Sequence, residues 1–332
     1  MLRAIRMMMG SLGMATALTG CAGALSHTET QQRLHAQYAG FPPVFTDPAL
    51  NAYRARYLAD KAEFDKAPEI FLGSMPAVPS CEVSLKAART LAASSFRPPI
   101  QERAPDWADH MDKHGMGYAG QAVDAVHIGV LSGTCTAGAL AGPAQILMQY
   151  VYVLKQANDP QAYKVHEVTA RENCRYKEGQ RTGECVRYSR QRNWDARMVD
   201  GRLMHMEQAL ARVVPGSPRP TPGSEHYTYT TVFDYGQYQD GIEHGPGVAF
   251  ETEPIVGEGV DVLENHTLTR TVLPDGRVAY DEYFGGTHKL RYVLRNGVPH
   301  GPLVYSPGQA GGGDARICFQ DGTATLSSQC PN

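Results

Sequence analysis

Two histidines four residues apart, His110 and His114, have the spacing of a metal site. On a helix they would share one face, which is a metal-ligand geometry. Asp106, Asp109 and Asp112 could add carboxylates. The glutamate that a zinc peptidase helix carries beside its first histidine is missing. We therefore read the stretch as a polar surface helix ended by Gly115, with a metal-dependent hydrolase as the alternative. No G-x-S-x-G elbow and no phosphate-binding loop occurs elsewhere. Catalytic residues and cofactors are accordingly expected to be none.

Cysteine carries the other chemistry. The chain opens with two arginines between Met1 and Arg6, a short apolar run from Met7 to Leu18, and then Leu18-Thr19-Gly20-Cys21. That is the layout of an export signal, too short to span a bilayer as a helix. LTGC resembles the lipobox of bacterial lipoproteins. The resemblance implies cleavage before Cys21, acylation of its thiol and new amino terminus, and, because Ala22 follows, the outer membrane as destination. Several acyl chains give stable anchoring. Six cysteines remain: Cys81, Cys135, Cys174, Cys185, Cys318 and Cys330. An even number in an exported protein reads as disulfides, with fifteen connectivities open. Local spacing favours Cys174 with Cys185 and Cys318 with Cys330, which would leave Cys81 with Cys135. No C-x-x-C or C-x-x-H pair points to zinc.

These groups need elements to hold them. Residues 1–20 are the leader and 21–46 a tether. A helical region follows over 47–122. Asp47-Pro48 is a helix start, an acidic N-cap before proline at the first helical position. Leu50, Tyr53, Tyr57 and Phe64 then fall on one face, so the spacing predicts a core-packed helix over 48–66. A second helix is expected over 83–95. From Val123 to the end, strand-like runs alternate with X-Gly turns at Glu178-Gly179, Asp200-Gly201, Asp240-Gly241, Asp275-Gly276, Asn296-Gly297 and Asp321-Gly322. Two stretches read as insertions without strand: the proline-rich Pro215–Gly223, and Glu251–Gly259.

One spacing recurs around these turns. Tyr238, Gly241, Gly245 and Gly247 repeat in part as Tyr176, Gly179 and Gly183, again as Gly297, His300 and Gly301, and weakly as Gly138 and Gly142. The pattern resembles MORN repeats and the related degenerate repeats of antitoxin-like proteins. Cys185 and Leu294 depart from it. The resemblance covers about Gly129 to Tyr305. It implies an α+β, mainly β protein: an antiparallel meander of MORN-like hairpins behind an N-terminal helical region. Gly241 and Gly297 would take φ > 0 turn positions, while Gly245 and Gly301 would let the chain bend and neighbouring hairpins approach. His244 and His300, at equivalent positions, read as structural.

MORN sheets serve as scaffolds for proteins or lipids, which implies a non-catalytic protein-binding module of envelope-assembly or immunity type. It would be lipid-anchored and face the periplasm. A structural spacer is a further alternative. Tyr227, Tyr229, Tyr235 and Tyr238, in a tyrosine-rich run, are the candidate contact surface. With 31 basic and 34 acidic residues the chain has no nucleic-acid footprint. The expected partners are an envelope protein and, through the lipid, the membrane.

Overall fold

The structure, a computed structural model, describes residues 40–75, 81–93, 118–156, 159–214, 216, 226–257, 260–284, 288–296, 298–307, 315–326 and 330. Cys21, the leader, most of the tether, the His110/His114 pair and Gly297 lie outside these residues.

The α+β, mainly β reading holds. The long strands β1 (Tyr118–Thr136), β2 (Ala139–Gln156), β3 (Ala162–Lys177) and β4 (Gln180–Val199) come first. A short return strand follows, β5 (Arg202–His205). The sheet continues through β6 (Thr228–Gln239), β7 (Ile242–Glu243), β8 (Gly247–Gly257), β9 (Val260–Val272) and β10 (Val278–Phe284). It ends with β11 (His288–Arg295), β12 (Val298–Pro299), β13 (Gly301–Pro307), β14 (Ala315–Gln320) and β15 (Thr323–Thr325). The main path β1-β2-β3-β4-β6-β8-β9-β10-β11-β13-β14-β15 follows chain order, and its neighbours pair antiparallel. The sheet therefore opens at Tyr118, and the last residues assigned to the helical region are strand. Glu251–Gly257, expected to be a loop, belongs to β8 and pairs with β9 from Gly247↔Arg270 to Gly257↔Val260. Its charged residues had masked the alternation that a half-buried strand requires.

The X-Gly turns have the backbone that their residues dictate. Both central residues take φ > 0 at Glu178-Gly179, Asp200-Gly201, Asp240-Gly241 and Asp321-Gly322, and also at Ala137-Gly138. Asp275-Gly276 differs: only Gly276 is positive, and its N–H closes the turn on the Leu273 carbonyl at 2.9 Å. Asp200-Gly201 lies at the opposite edge of the sheet, where β5 folds back and leads into a helix, α4 (Met206–Val213), that the sequence reading had not placed. On the main turn edge, successive hairpins are tied together through the backbone. Gly179 N–H donates to the Leu140 carbonyl, Gly241 N–H to that of Arg181, and Gly322 N–H to that of Pro299, at 2.8–2.9 Å. His244 and His300 share a backbone bond, to Gln237 and Val293 carbonyls. Their side chains differ: His300 is buried beside Asp321, while His244 is exposed.

Helices cover both faces. α1 (Pro48–Lys66) begins where expected, with the Asp47 carboxylate accepting from Ala49 N–H at 2.8 Å. Leu50, Tyr57 and Phe64 are its buried stripe, packed with Val186, Tyr188, Phe233, Tyr235, Val248 and Phe250. A short helix, α2 (Pro68–Leu72), extends this cover. α3 (Leu85–Ala93) lies on the other face, its Ala88, Leu91 and Ala92 packed into a core with Ile146, Met148, Ala170 and Cys185. Neighbours Cys185 and Val186 belong to different cores, because successive strand residues point to opposite faces. We call the α1 side the front and the α3 side the back.

Three disulfides close the described chain: Cys81–Cys135, Cys174–Cys185 and Cys318–Cys330. The first ties the segment before α3 to β1. The second staples directly opposed residues of β3 and β4.

The back face buries charge as well as hydrocarbon. Arg270 is 2 % exposed and held by Asp234 at 2.8 Å, Glu243 at 3.2 Å and the Tyr235 carbonyl at 2.9 Å. Gly236 and Gly247 make the room: a Cβ on Gly247 would lie 2.5 Å from Nη2 and 2.6 Å from Nε. The close approach expected at Gly245 is absent, since a Cβ there meets Gln237 at an ordinary 3.5 Å. Its requirement is a positive φ. Because two hydrogen bonds and the Glu243 ion pair pin the guanidinium, Gly247→Ala should cost about 1–3 kcal/mol. A denaturant titration would show this as a lower midpoint, and an unchanged midpoint would refute the cradle.

Candidate functional site

Alternation along β4 puts Arg190, Arg192 and Trp194 on the front face, beyond the end of α2. Tyr229 on the neighbouring strand β6, and Tyr227 just before it, meet them diagonally. The Arg190 guanidinium lies 5.3 Å from the Tyr229 ring centre, and that of Arg192 lies 4.8 Å from Tyr227. These are cation–π distances. Glu167 on β3 accepts from Arg192 Nε at 2.8 Å and from Trp194 Nε1 at 3.0 Å. Glu69 of α2 pairs with Arg190 Nη1. The His205 ring stacks on Trp194 at 5.8 Å, with its Nε2 3.2 Å from the His226 carbonyl. Burial alone would weaken the proton affinity of Arg192, but the Glu167 hydrogen bond and charge raise it above the ordinary arginine value. A groove of about 340 Å³ runs alongside, with Leu72, Gln149, Val151 and Thr169 among its walls.

The four candidate tyrosines therefore separate. Tyr227 and Tyr229 are 38 % and 41 % exposed, and Tyr229 lies in the wall of this groove. Tyr235 is 0 % exposed, stacked under Tyr53 at 5.8 Å, and its hydroxyl donates to Asp60 at 2.8 Å. It is core, because α1 covers that part of the front face. Tyr238 points to the back, packed against the α3 core beside Arg181. Position parity gives the reason: 227, 229 and 235 share a face and 238 does not. The arginines, Trp194 and Glu167 were missed in the sequence reading. Their signal is the R-x-R-x-W alternation at 190, 192 and 194, which shows only once that segment is read as a strand.

Other polar clusters serve the fold. Glu172 and Arg181 form a fully buried pair at 2.6 Å, and Glu172 also accepts from the Tyr176 hydroxyl at 3.0 Å. Burial and the Glu172 charge push the Tyr176 hydroxyl well up. Glu172, Cys174 and Cys185 lie close enough to suggest metal ligands. The two sulfurs are joined to each other, however, and the carboxylate is taken by Arg181. Among the described residues no helix is long and apolar enough to cross a membrane. Comparison with protein families, curated proteins and solved structures finds no match.

One buried cluster gives a pH signature. His266 on β9 has Nδ1 3.3 Å from Glu251 and Nε2 3.5 Å from Glu282, and Tyr292 donates its hydroxyl to Glu282 at 2.7 Å. Burial alone would lower its pKa. Hydrogen bonds and charge from the two glutamates override burial and raise it from 6.5 to about 9. A folded-state value above the unfolded one means stability that is complete below about 6.5 and lost as pH rises through about 9. Melting temperature should fall over that window, and His266→Gln should flatten the fall. An equal slope in both proteins would contradict the assignment.

Proposed function

We propose that the protein is a lipid-anchored, non-catalytic scaffold of the cell envelope, which binds a protein partner through the front face around Tyr227, Tyr229, Arg190 and Arg192. The observation that carries this reading is an exposed arginine–tyrosine ladder beside a groove, built on long strands. Tyrosine, tryptophan and arginine are the residue types enriched where proteins bind one another. The strands beneath are braced by the Cys174–Cys185 disulfide and by α1 and α2, so little ordering would remain to be lost on binding.

The anchor rests on the lipobox-like sequence at Cys21. The outer membrane, with the sheet facing the periplasm, follows from the same resemblance. The stacked hairpins, with turn glycines tied edge to edge, support the likeness to MORN repeats. On this reading the repeats supply a rigid platform, and the longer β3 and β4 supply the contact.

The test places a photo-activatable residue at the exposed Gln149 in the groove, or at exposed Leu326 as control, in the lipidated protein within its own envelope. A discrete adduct at position 149, absent at 326 and lost in an Arg190→Glu/Arg192→Glu variant, is expected. Both arginines are partly exposed, so the variant should stay within about 1 kcal/mol of the parent in stability. Equal or no labelling at the two positions would refute the reading. Bound zinc lost on His110→Ala/His114→Ala would favour the hydrolase instead.

A further inference from the structure

The β3–β4 hairpin is more basic than the chain as a whole. Residues 162–199, the β3–β4 hairpin, carry nine lysines and arginines against five acidic residues, whereas the whole chain is at −3. Four arginines of the hairpin face front: Arg171 and Arg175 from β3, Arg190 and Arg192 from β4. Of these four, only Arg190 and Arg192 meet a carboxylate among the described residues, each by part of its donor set. Arg190 gives Nη1 to Glu69, and its Nε and Nη2 make no further hydrogen bond among the described residues. Arg192 gives Nε and Nη2 to Glu167, which leaves Nη1. Arg171 donates Nη1 to the Phe71 carbonyl at 2.9 Å, and its buried Nε meets no acceptor among the described residues. Arg175 is exposed beside a second groove of about 640 Å³, lined also by Gln145 and Asn173. The two grooves lie on the same face.

From this arrangement, and resting on the reading of this face as a protein-binding surface, we infer the partner's chemistry: an extended protein segment with acidic side chains at alternate positions. Three observations carry it. First, the free donors belong to guanidinium groups, whose planar edge matches a carboxylate in two parallel hydrogen bonds. Second, Arg190 and Arg192 are alternate residues of one strand, so their stems stand roughly 6.8 Å apart. Side chains at i and i+2 of an extended partner have the same spacing. Third, the groove beside them has Val151 and Leu72 in its walls, which suits apolar residues between the acids. A phosphate-rich polyanion fits less well. Two of the four guanidinium groups are already half neutralised by glutamate, and the tyrosine faces are taken by guanidinium, not left open for a base or sugar.

The probe is a fluorescein-labelled ten-residue peptide alternating aspartate and valine, titrated into the full exported chain and followed by anisotropy. Binding that weakens at least tenfold in Arg190→Glu/Arg192→Glu, and is lost when asparagine replaces aspartate in the peptide, is expected. The same affinity for a peptide with its aspartates grouped in one block would overturn the spacing argument. Arginine-dependent binding of inorganic polyphosphate without binding of the peptide would overturn the protein segment in favour of a phosphorylated polymer. The envelope adduct at position 149 separates the two proposals. An adduct whose captured peptide lacks alternating acids, with no binding of the probe, defeats this inference and leaves the scaffold standing. Binding of the probe with no envelope adduct supports this inference and defeats the scaffold.

Discussion

Tyr57 lies flat on Phe250, ring centres 4.3 Å apart and planes 20° from parallel, and the rest of the front face is arranged about that contact. A single sheet layer cannot bury both of its faces by itself. Here α1 supplies what the front lacks. Phe233 meets Tyr57 and Phe64 edge-on, and Tyr53 stacks on Tyr235. Each such pair adds about 0.5–1.5 kcal/mol beyond the area it buries. The tyrosines need polar partners to stay buried, and one carboxylate serves two: Asp60 accepts from Tyr188 at 2.9 Å and from Tyr235 at 2.8 Å. Burial first, then the Asp60 charge, raises both hydroxyls and keeps them protonated donors. This clamp seats α1 on the front of the sheet. Pro68 then ends α1 and opens α2, whose Glu69 meets Arg190 of the arginine–tyrosine ladder.

The back face solves the same problem differently. Over β1 to β3 it is mainly apolar and roofed by α3, with the Glu172–Arg181 pair buried beside Leu91. From β6 onward it is polar, built on Arg270 with Asp234 and Glu243, and on His266 between Glu251 and Glu282. Buried charges gain little net stability, because desolvation offsets most of the attraction, but removing one partner leaves the other unpaired at high cost. Such groups hold register. A strand slip of one residue would send Arg270 to the opposite face and strand two carboxylates. The glycines at 236 and 247 belong to this arrangement, since they admit the arginine between β6, β8 and β9.

Much of this was legible in the residues, for local reasons. Asp47-Pro48 and the stripe at 50, 57 and 64 specify α1, because a cap and a helical period are short-range signals. Asp240-Gly241 and its relatives specify turns, because few residue types accept φ > 0. The disulfide partners that local spacing favoured are those observed, since two of the three pairs close short loops. What could not be read depends on distance. Nothing near Tyr235 in sequence says that a helix 180 residues earlier covers it, while Tyr229, six residues before, stays open. The strand β8 was hidden because its two glutamates and one proline suppress the local pattern, and pairing with β9 restores it.

A repeat of hairpins presents one strand pair much like the next, so repetition by itself singles out no site. The site comes from the departures. Strands β3 and β4 run to Lys177 and Val199, with 16 and 20 residues against 7 in β10, and α1 and α2 cover only part of that length. Beyond α1 and α2, β4 carries Arg190, Arg192 and Trp194 on the front face before it reaches its contact with α4. An apolar surface there would be an aggregation liability. Arginines stacked on tyrosines make it polar, while Arg190 Nε and Nη2 and Arg192 Nη1 make no hydrogen bond among the described residues. The side chains that keep this stretch of sheet polar are thus the ones proposed to recognise another chain.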